Sequence, residues 1–233
     1  MGKECPRCQT MSKRVLILVE GQTEERFVKD VLAPAFLNRG IYFFPTILVT
    51  KRVKDGTNFE GGVTTFGKFR NDTQRLLNSA GNALVTTVLD YYGLPTDFPG
   101  MNTRPNGLPI DRVIHIEQSI LWHFGSPSNF LPFLALHEFE AWLFSSPDVL
   151  PRVMTDNRKQ PRFSAIRANV PTPEDINERP EFAPSKQIES LFPAYKKTLH
   201  GPMAAGRIGL DRIRAECPHF ADWIDHLETF ANK

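Results

Sequence analysis

The chain has 233 residues, 41% of them hydrophobic and 23% charged, with 28 Lys/Arg against 26 Asp/Glu and three cysteines. That length supplies a sizeable core for one large domain or a domain with an appendage, and no apolar run nears the roughly 18–20 residues of a membrane span. Membrane, collagenous, disordered and disulfide-stapled classes are thereby excluded, and with a polar N-terminal stretch lacking the apolar core of a secretory leader, a cytoplasmic location is expected. Residues 1–13 read as a disordered extension. Cys5 and Cys8 make a lone Cys-x-x-Cys, with Cys217 far off in sequence, which is half of what a structural zinc site needs.

From Arg14 the pattern is α/β. Val15–Val19 is a continuous aliphatic run, as expected of a strand covered on both faces. It leads into Glu20-Gly21-Gln22-Thr23, after which residues 24–37 carry apolar side chains at helical spacing, with Thr23 as the expected N-cap and Glu24 and Glu25 in the first turn. A second strand is expected over 41–50, a basic Gly-containing loop over 51–62, a helix over 65–79 and a third strand over 83–89, ending at Asp90. A long stretch rich in Pro, Gly and Asn follows, of a kind that is usually functional inside a compact domain. Asp111 is the expected cap of a helix over 112–124. Phe130–Leu136 reads as the fourth strand, and residues 137–144 turn into a helix. Beyond Pro147 helices alone are expected, over 173–179, 185–191, 203–217 and 218–232. The order implies a small, mostly parallel sheet sandwiched by helices in residues 14–150, with a helical C-terminal subdomain over 151–233.

Charge is segregated along the chain. Residues 1–80 carry 13 Lys/Arg against 8 Asp/Glu, residues 81–150 carry 2 against 7, and residues 151–214 carry 12 against 7. An acidic middle between two basic stretches suits a carboxylate centre in a polyanion-binding surface, and chance segregation of surface charge gives the same pattern.

The position of the acids is more informative. Three strands run into carboxylates: Val19 into Glu20, Leu89 into Asp90, and Leu136 into His137-Glu138. In an open parallel sheet ligands sit outside the carboxyl ends of the strands, so these distant acids are expected to converge, with Glu24 and Glu140 beside them. Taken singly, each is also an ordinary strand-end acid or helix-dipole partner. Crowded carboxylates raise one another's pKa, and a hard divalent cation relieves this; Mg²⁺ takes few protein carboxylates and keeps waters for substrate, and two such ions clamp the oxygens of a phosphodiester. No His-Glu-x-x-His, Gly-x-x-x-x-Gly-Lys-Ser/Thr or Gly-x-Gly-x-x-Gly occurs, which removes zincin, phosphate-loop and dinucleotide readings. Lys51, Arg52, Lys186, Lys196, Lys197, Arg207 and Arg212 are candidates for phosphate contact, beside the plainer reading of solvated surface cations.

Val15-Leu-Ile-Leu-Val-Glu20-Gly21-Gln-Thr-Glu24 resembles the opening motif of the Toprim fold in the branch of the OLD-family (overcoming lysogenization defect) nucleases, and Val85-Thr-Thr-Val-Leu-Asp90-Tyr-Tyr92 resembles its second motif. With His137-Glu-Phe-Glu140, Pro184-Ser-Lys186 and Cys217-Pro-His-Phe220 the set resembles an uncharacterised bacterial Toprim-like family over residues 14–230. The resemblance implies Mg²⁺ or Mn²⁺ held by Glu20, Asp90 and Glu138. It implies that Glu24 and Glu140 orient or deprotonate the attacking water, and that a late lysine, Lys186 or Lys197, stabilises charge. Tyr92 departs from the pattern, standing where the second Asp of Asp-x-Asp is expected. The implied activity is phosphodiester hydrolysis in nucleic acid, as an effector in an ATPase-coupled defence system. The implied partners are nucleic acid, an AAA- or ABC-type ATPase and a second copy in a homodimer, with no membrane. The alternative is a non-catalytic Toprim-like module of such an ATPase, which Tyr92 favours; primase-like nucleotidyl transfer is a weaker third.

Overall fold

A computed structural model describes residues 12–48, 65–176 and 182–231. Most of the expected extension, Cys5 and Cys8, and Lys51 and Arg52 lie outside the described residues. The first strand, β1 (Lys13–Val19), begins two positions before the expected Val15 and takes in the last residue of the expected extension. Its side chains alternate as the pleat demands: Val15, Ile17 and Val19 join one apolar cluster and Leu18 the other.

Helix α1 (Gln22–Phe27) starts from Gly21, not Thr23. The Glu24 carboxylate accepts the Gly21 N–H at 2.9 Å, the reciprocal half of a capping box, so the acid two positions after the first helical residue sets the start. The chain continues through a π-turn (Val28–Leu32), where the Ala33 N–H reaches back to the Val28 carbonyl, and α2 (Ala33–Phe36). Pro34 has no N–H to return to residue 30, which is where the ladder widens. Strand β2 (Ile41–Ile47) is shorter than expected. It is followed by α3 (Phe66–Ala80), capped by Thr65, and β3 (Leu84–Asp90). Helix α4 (Pro109–His123) starts at a proline, and Asp111 serves it from inside the first turn by accepting the Leu108 N–H at 3.3 Å, not from the N-cap position.

The expected fourth strand is two short ones, β4 (Phe130–Leu131) and β5 (Leu134–Ala135), both parallel to β3. Pro132 breaks the ladder because it has no N–H to donate. Side chains of β3 bridge the gap. The Thr86 hydroxyl donates to the Leu131 carbonyl (2.6 Å), and Thr87 exchanges bonds with the Phe133 carbonyl and N–H (2.7 and 2.8 Å).

Residues Phe139–Ser145 form a buried 3₁₀ helix in place of the helix expected over 137–144. Short helices α5 (Val149–Val153) and α6 (Gln160–Ala168) follow, then a 3₁₀ turn, Pro173–Asp175, at the start of the helix expected over 173–179. Helix α7 (Pro184–Leu191) lies as expected. The single helix expected over 203–217 is two, α8 (Lys197–Ile208) and α9 (Leu210–Glu216), parted at Gly209, whose φ of +85° favours glycine. Helix α8 starts earlier than expected because it tolerates Pro202. The Thr198 carbonyl, which has no N–H to accept at position 202, takes the Arg26 guanidinium at 2.8 Å. Helix α10 (Pro218–Ala231) completes the described chain.

Among the described residues the strand pairs are all parallel, in the order β2-β1-β3, with β4 and β5 in turn along the outer side of β3. The chain thus leaves β1 for one side and returns on the other. The switch point lies between the carboxyl ends of β1 and β3, the place where open α/β sheets bind ligands. Helices α3 and α4 cover one face through Phe69, Val113, Ile116 and Ile120. The other face is buried under Phe27, Val31 and Leu32 and, from residues after 150, Ala204, Phe220, Trp223 and Ile224. No helix among the described residues is long and apolar enough to cross a membrane.

Helix α8 approaches α1 at Gly201, where a Cβ would lie 3.1 Å from both the Phe139 ring and the Tyr195 hydroxyl. Gly201→Ala is therefore expected to destabilise the fold by about 1–3 kcal/mol, the usual cost of overpacking, and to displace the start of α8. Urea denaturation indistinguishable from wild type would show that the contact has slack.

Candidate active site

The acids of three strand ends meet in one cleft of about 840 Å³, lined by Glu20, Glu24, Asp90, Glu138 and Glu140 and by Tyr92, Tyr195, Lys196 and Lys197. Glu20 and Asp90 are half-buried, and Glu24, Glu138 and Glu140 are buried. Each carboxylate is anchored locally. A Glu20 oxygen accepts the Asp90 N–H (3.0 Å), and an Asp90 oxygen accepts the Phe139 N–H (3.0 Å). This chain of bonds ties β1 to β3 and β3 to the 3₁₀ helix. Glu138 is engaged on both oxygens by Ser185, through its N–H (2.9 Å) and its hydroxyl (3.1 Å), at the start of α7. Glu140 accepts the Tyr195 hydroxyl at 3.4 Å. The turn that delivers Glu138 passes through His137 at φ +70°, a left-handed conformation costing a non-glycine residue about 1–3 kcal/mol and found where a site over-determines the backbone.

Among the described residues one cation faces this group at ion-pair range. Lys197 Nζ lies 3.7 Å from Glu140 and 3.9 Å from Glu138. Burial opposes its charge, but the attraction of Glu140, Glu138 and Asp90 outweighs burial and holds its pKa above the usual lysine value. The acids move the other way. Burial, reinforced by Glu20 and Glu24, drives Asp90 well above the usual carboxylate range. Burial also raises Glu20 against the pull of the Asp90 N–H and Lys197. It pushes Glu24 up to about 8, with Glu20 adding to it, and Glu140 up to about 7 against the attraction of Lys197.

Oxygen donors with surplus negative charge are the chemistry that hard divalent cations take. No three His, Cys, Asp or Glu side chains among the described residues are drawn together into a ready-made metal site. Mg²⁺ commonly uses one or two carboxylates and keeps waters for the rest, a requirement the Glu20–Asp90 end of the cleft meets in kind.

A family model described as Domain of unknown function (DUF4276) matches residues 19–228, from the end of β1 into α10. The chain belongs to this family. The DUF4276 match encloses all five cleft carboxylates and Lys197. No significant match was found among curated proteins, nor among solved structures.

Of the other candidate cations of the DUF4276 chain, Lys186, Arg207 and Arg212 lie elsewhere. Lys186 is largely exposed on α7 and pairs with Glu189 at 2.8 Å. Arg212 donates to the Ser145 carbonyl and pairs with Glu216, and Arg207, near the end of α8, does not line the cleft. Lys196 does line it. Two partners are not foreseen in the sequence: Ser185, present in the Pro184-Ser-Lys186 motif but not read as a carboxylate ligand, and Tyr195, for which the sequence suggests no carboxylate partner.

The raised acids make stability depend on pH. For Glu24 and Glu140 the folded pKa exceeds the unfolded one. The folded state therefore keeps protons between pH 4.5 and about 7–8 that the unfolded state has released, and stability falls as pH rises through that window. Chelator-treated protein is expected to lose a few kcal/mol between pH 5 and pH 8, because each tenfold difference in proton affinity between the folded and unfolded states is worth about 1.36 kcal/mol. Urea midpoints that rise over this range would contradict the burial of these acids.

Proposed function

We infer that the chain is a Mg²⁺- or Mn²⁺-dependent nuclease of Toprim type, cleaving phosphodiester bonds in nucleic acid. The observation that carries this reading is the meeting of five carboxylates and one half-buried lysine in a single cleft at the sheet's switch point. A bound divalent cation supplies neutralisation of phosphate charge and a more acidic water. Glu20 and Asp90 are its proposed oxygen donors. Glu138, the third donor that the resemblance implies, is not drawn together with them among the described residues and has both oxygens engaged by Ser185. Glu140, poised near neutrality and held by Tyr195, is the proposed acceptor of the proton from the attacking water, since a general base works best with a pKa near the operating pH. Glu24 orients that water. Lys197 opposes the charge that develops on the phosphate. The role as effector of an ATPase-coupled defence system rests on the resemblance of the motifs alone.

The test is cleavage of single- and double-stranded DNA and RNA by the purified chain with Mg²⁺ or Mn²⁺, before and after chelation. No cation-dependent cleavage, alone or with an AAA- or ABC-type ATPase partner, would leave the non-catalytic module as the better reading.

A further inference from the structure

The two tyrosines that follow Asp90 have opposite fates. Tyr91 is half-buried against the α3–α4 side of the sheet, and its hydroxyl bonds the Arg104 guanidinium at 3.0 Å. Tyr92 is fixed at its backbone, where its N–H donates to the His137 carbonyl at 3.1 Å, yet the residue is 45% exposed on the cleft wall. Among the described residues that side chain makes no hydrogen bond or ring contact. Its backbone stands beside the acids, since a Cβ on the adjoining Gly93 would lie 3.9 Å from Glu20 Oε1. Another wall carries Lys196, which is exposed and among the described residues has no carboxylate in ion-pair contact.

An exposed aromatic ring anchored through its backbone, beside a proposed site for phosphate chemistry, is a platform for a nucleobase. We propose that Tyr92 stacks on the base adjoining the scissile phosphate, with Lys196 on the neighbouring phosphate, and that the substrate is consequently single-stranded nucleic acid. This rests on the nuclease reading and adds its substrate class. Bases inside a duplex are already stacked and paired, so a protein ring reaches them only in single strands or after extrusion. A cleft of about 840 Å³ also lies in the range of ligand-sized pockets, which suits a short run of unpaired nucleotides. The residue that stands in place of a second aspartate thereby has a positive role: it reads the substrate.

The experiment measures fluorescence anisotropy of the full chain, in Ca²⁺ to suppress turnover, with three probes: a short fluorescein-labelled oligothymidylate, its abasic counterpart, and a duplex of equal length. Wild type is expected to bind the oligothymidylate most tightly. Tyr92→Ala should weaken that binding about tenfold, within the range for loss of one stacked base, and leave the abasic probe unaffected. Tyr92→Phe, which keeps the ring, should bind as wild type. Equal affinity of wild type and Tyr92→Ala for the oligothymidylate, or a preference of wild type for the duplex, overturns the inference while leaving the nuclease reading intact. Failure of wild type to bind any of the probes overturns both.

Discussion

Asp90→Asn and Glu20→Gln should each lose cation-dependent cleavage by roughly two to four orders of magnitude, because a metal's charge stabilisation of several kcal/mol converts at about tenfold per 1.36 kcal/mol. The amide variants are chosen because they keep the local bonds. An amide oxygen at position 90 still accepts the Phe139 N–H, and one at position 20 still accepts the Asp90 N–H. What they remove is a negative oxygen donor and, for Asp90, a group whose charge is already opposed by burial and by four neighbouring acids. Chelated variants are therefore expected to melt no lower than chelated wild type, while the stabilisation by added Mn²⁺ expected of wild type should largely disappear. Cleavage at wild-type rate by both variants, with unchanged Mn²⁺-induced changes in Tm, would remove Glu20 and Asp90 from the chemistry.

Lys197→Met is the second substitution with a large expected effect, and it separates cation binding from turnover. Lys197 is the cation in ion-pair contact with Glu138 and Glu140 among the described residues. Removing it leaves the cleft more negative, so Mn²⁺ should bind at least as tightly as in wild type. Cleavage should nevertheless fall by roughly 10²–10³, the usual cost of losing one preorganised group that faces developing charge. Without the lysine, Glu140 has lost the attraction that restrains its pKa. The loss of stability between pH 5 and pH 8 in chelated protein should become steeper, since the folded state gives up its protons at still higher pH. Full activity with weakened Mn²⁺ binding would reverse the assignment and make Lys197 a structural partner of the two glutamates. Lys186→Met, at an exposed position outside the cleft, is the matched control.

The strands and their acidic ends were legible because both are local properties. An aliphatic run such as Val15–Val19 that stops at a carboxylate reports a buried strand and the place where it leaves the core, and Glu20 and Asp90 follow directly. Glu24 and Glu140, read as neighbours of strand-end acids, also line the cleft. Illegible features depended on groups brought together from far apart. The interruption at Pro132 was visible in the residues, but its repair by Thr86 and Thr87 required β3 to lie alongside. The tolerance of α8 for Pro202 required the guanidinium of Arg26, from a helix near the other end of the chain, to take the freed Thr198 carbonyl. Glu138 read as a metal ligand, and the two hydrogen bonds that it accepts from Ser185 appear only once α7 is docked.

The choice between the two candidate lysines shows the same division. Lys186 and Lys197 are equivalent as candidates in the sequence, each a late lysine beyond the sheet. By itself the sequence determined an α/β chain with parallel strands ending in acids, because hydrophobic periodicity and strand termination are written residue by residue. The tertiary structure decided which lysine meets those acids: α8 packs close to α1 and the 3₁₀ helix through the bare backbone of Gly201 and sets Lys197 over Glu138 and Glu140, while α7 leaves Lys186 paired with its own neighbour Glu189. A charge acts strongly only at short range and away from water, and packing, not local propensity, sets that distance.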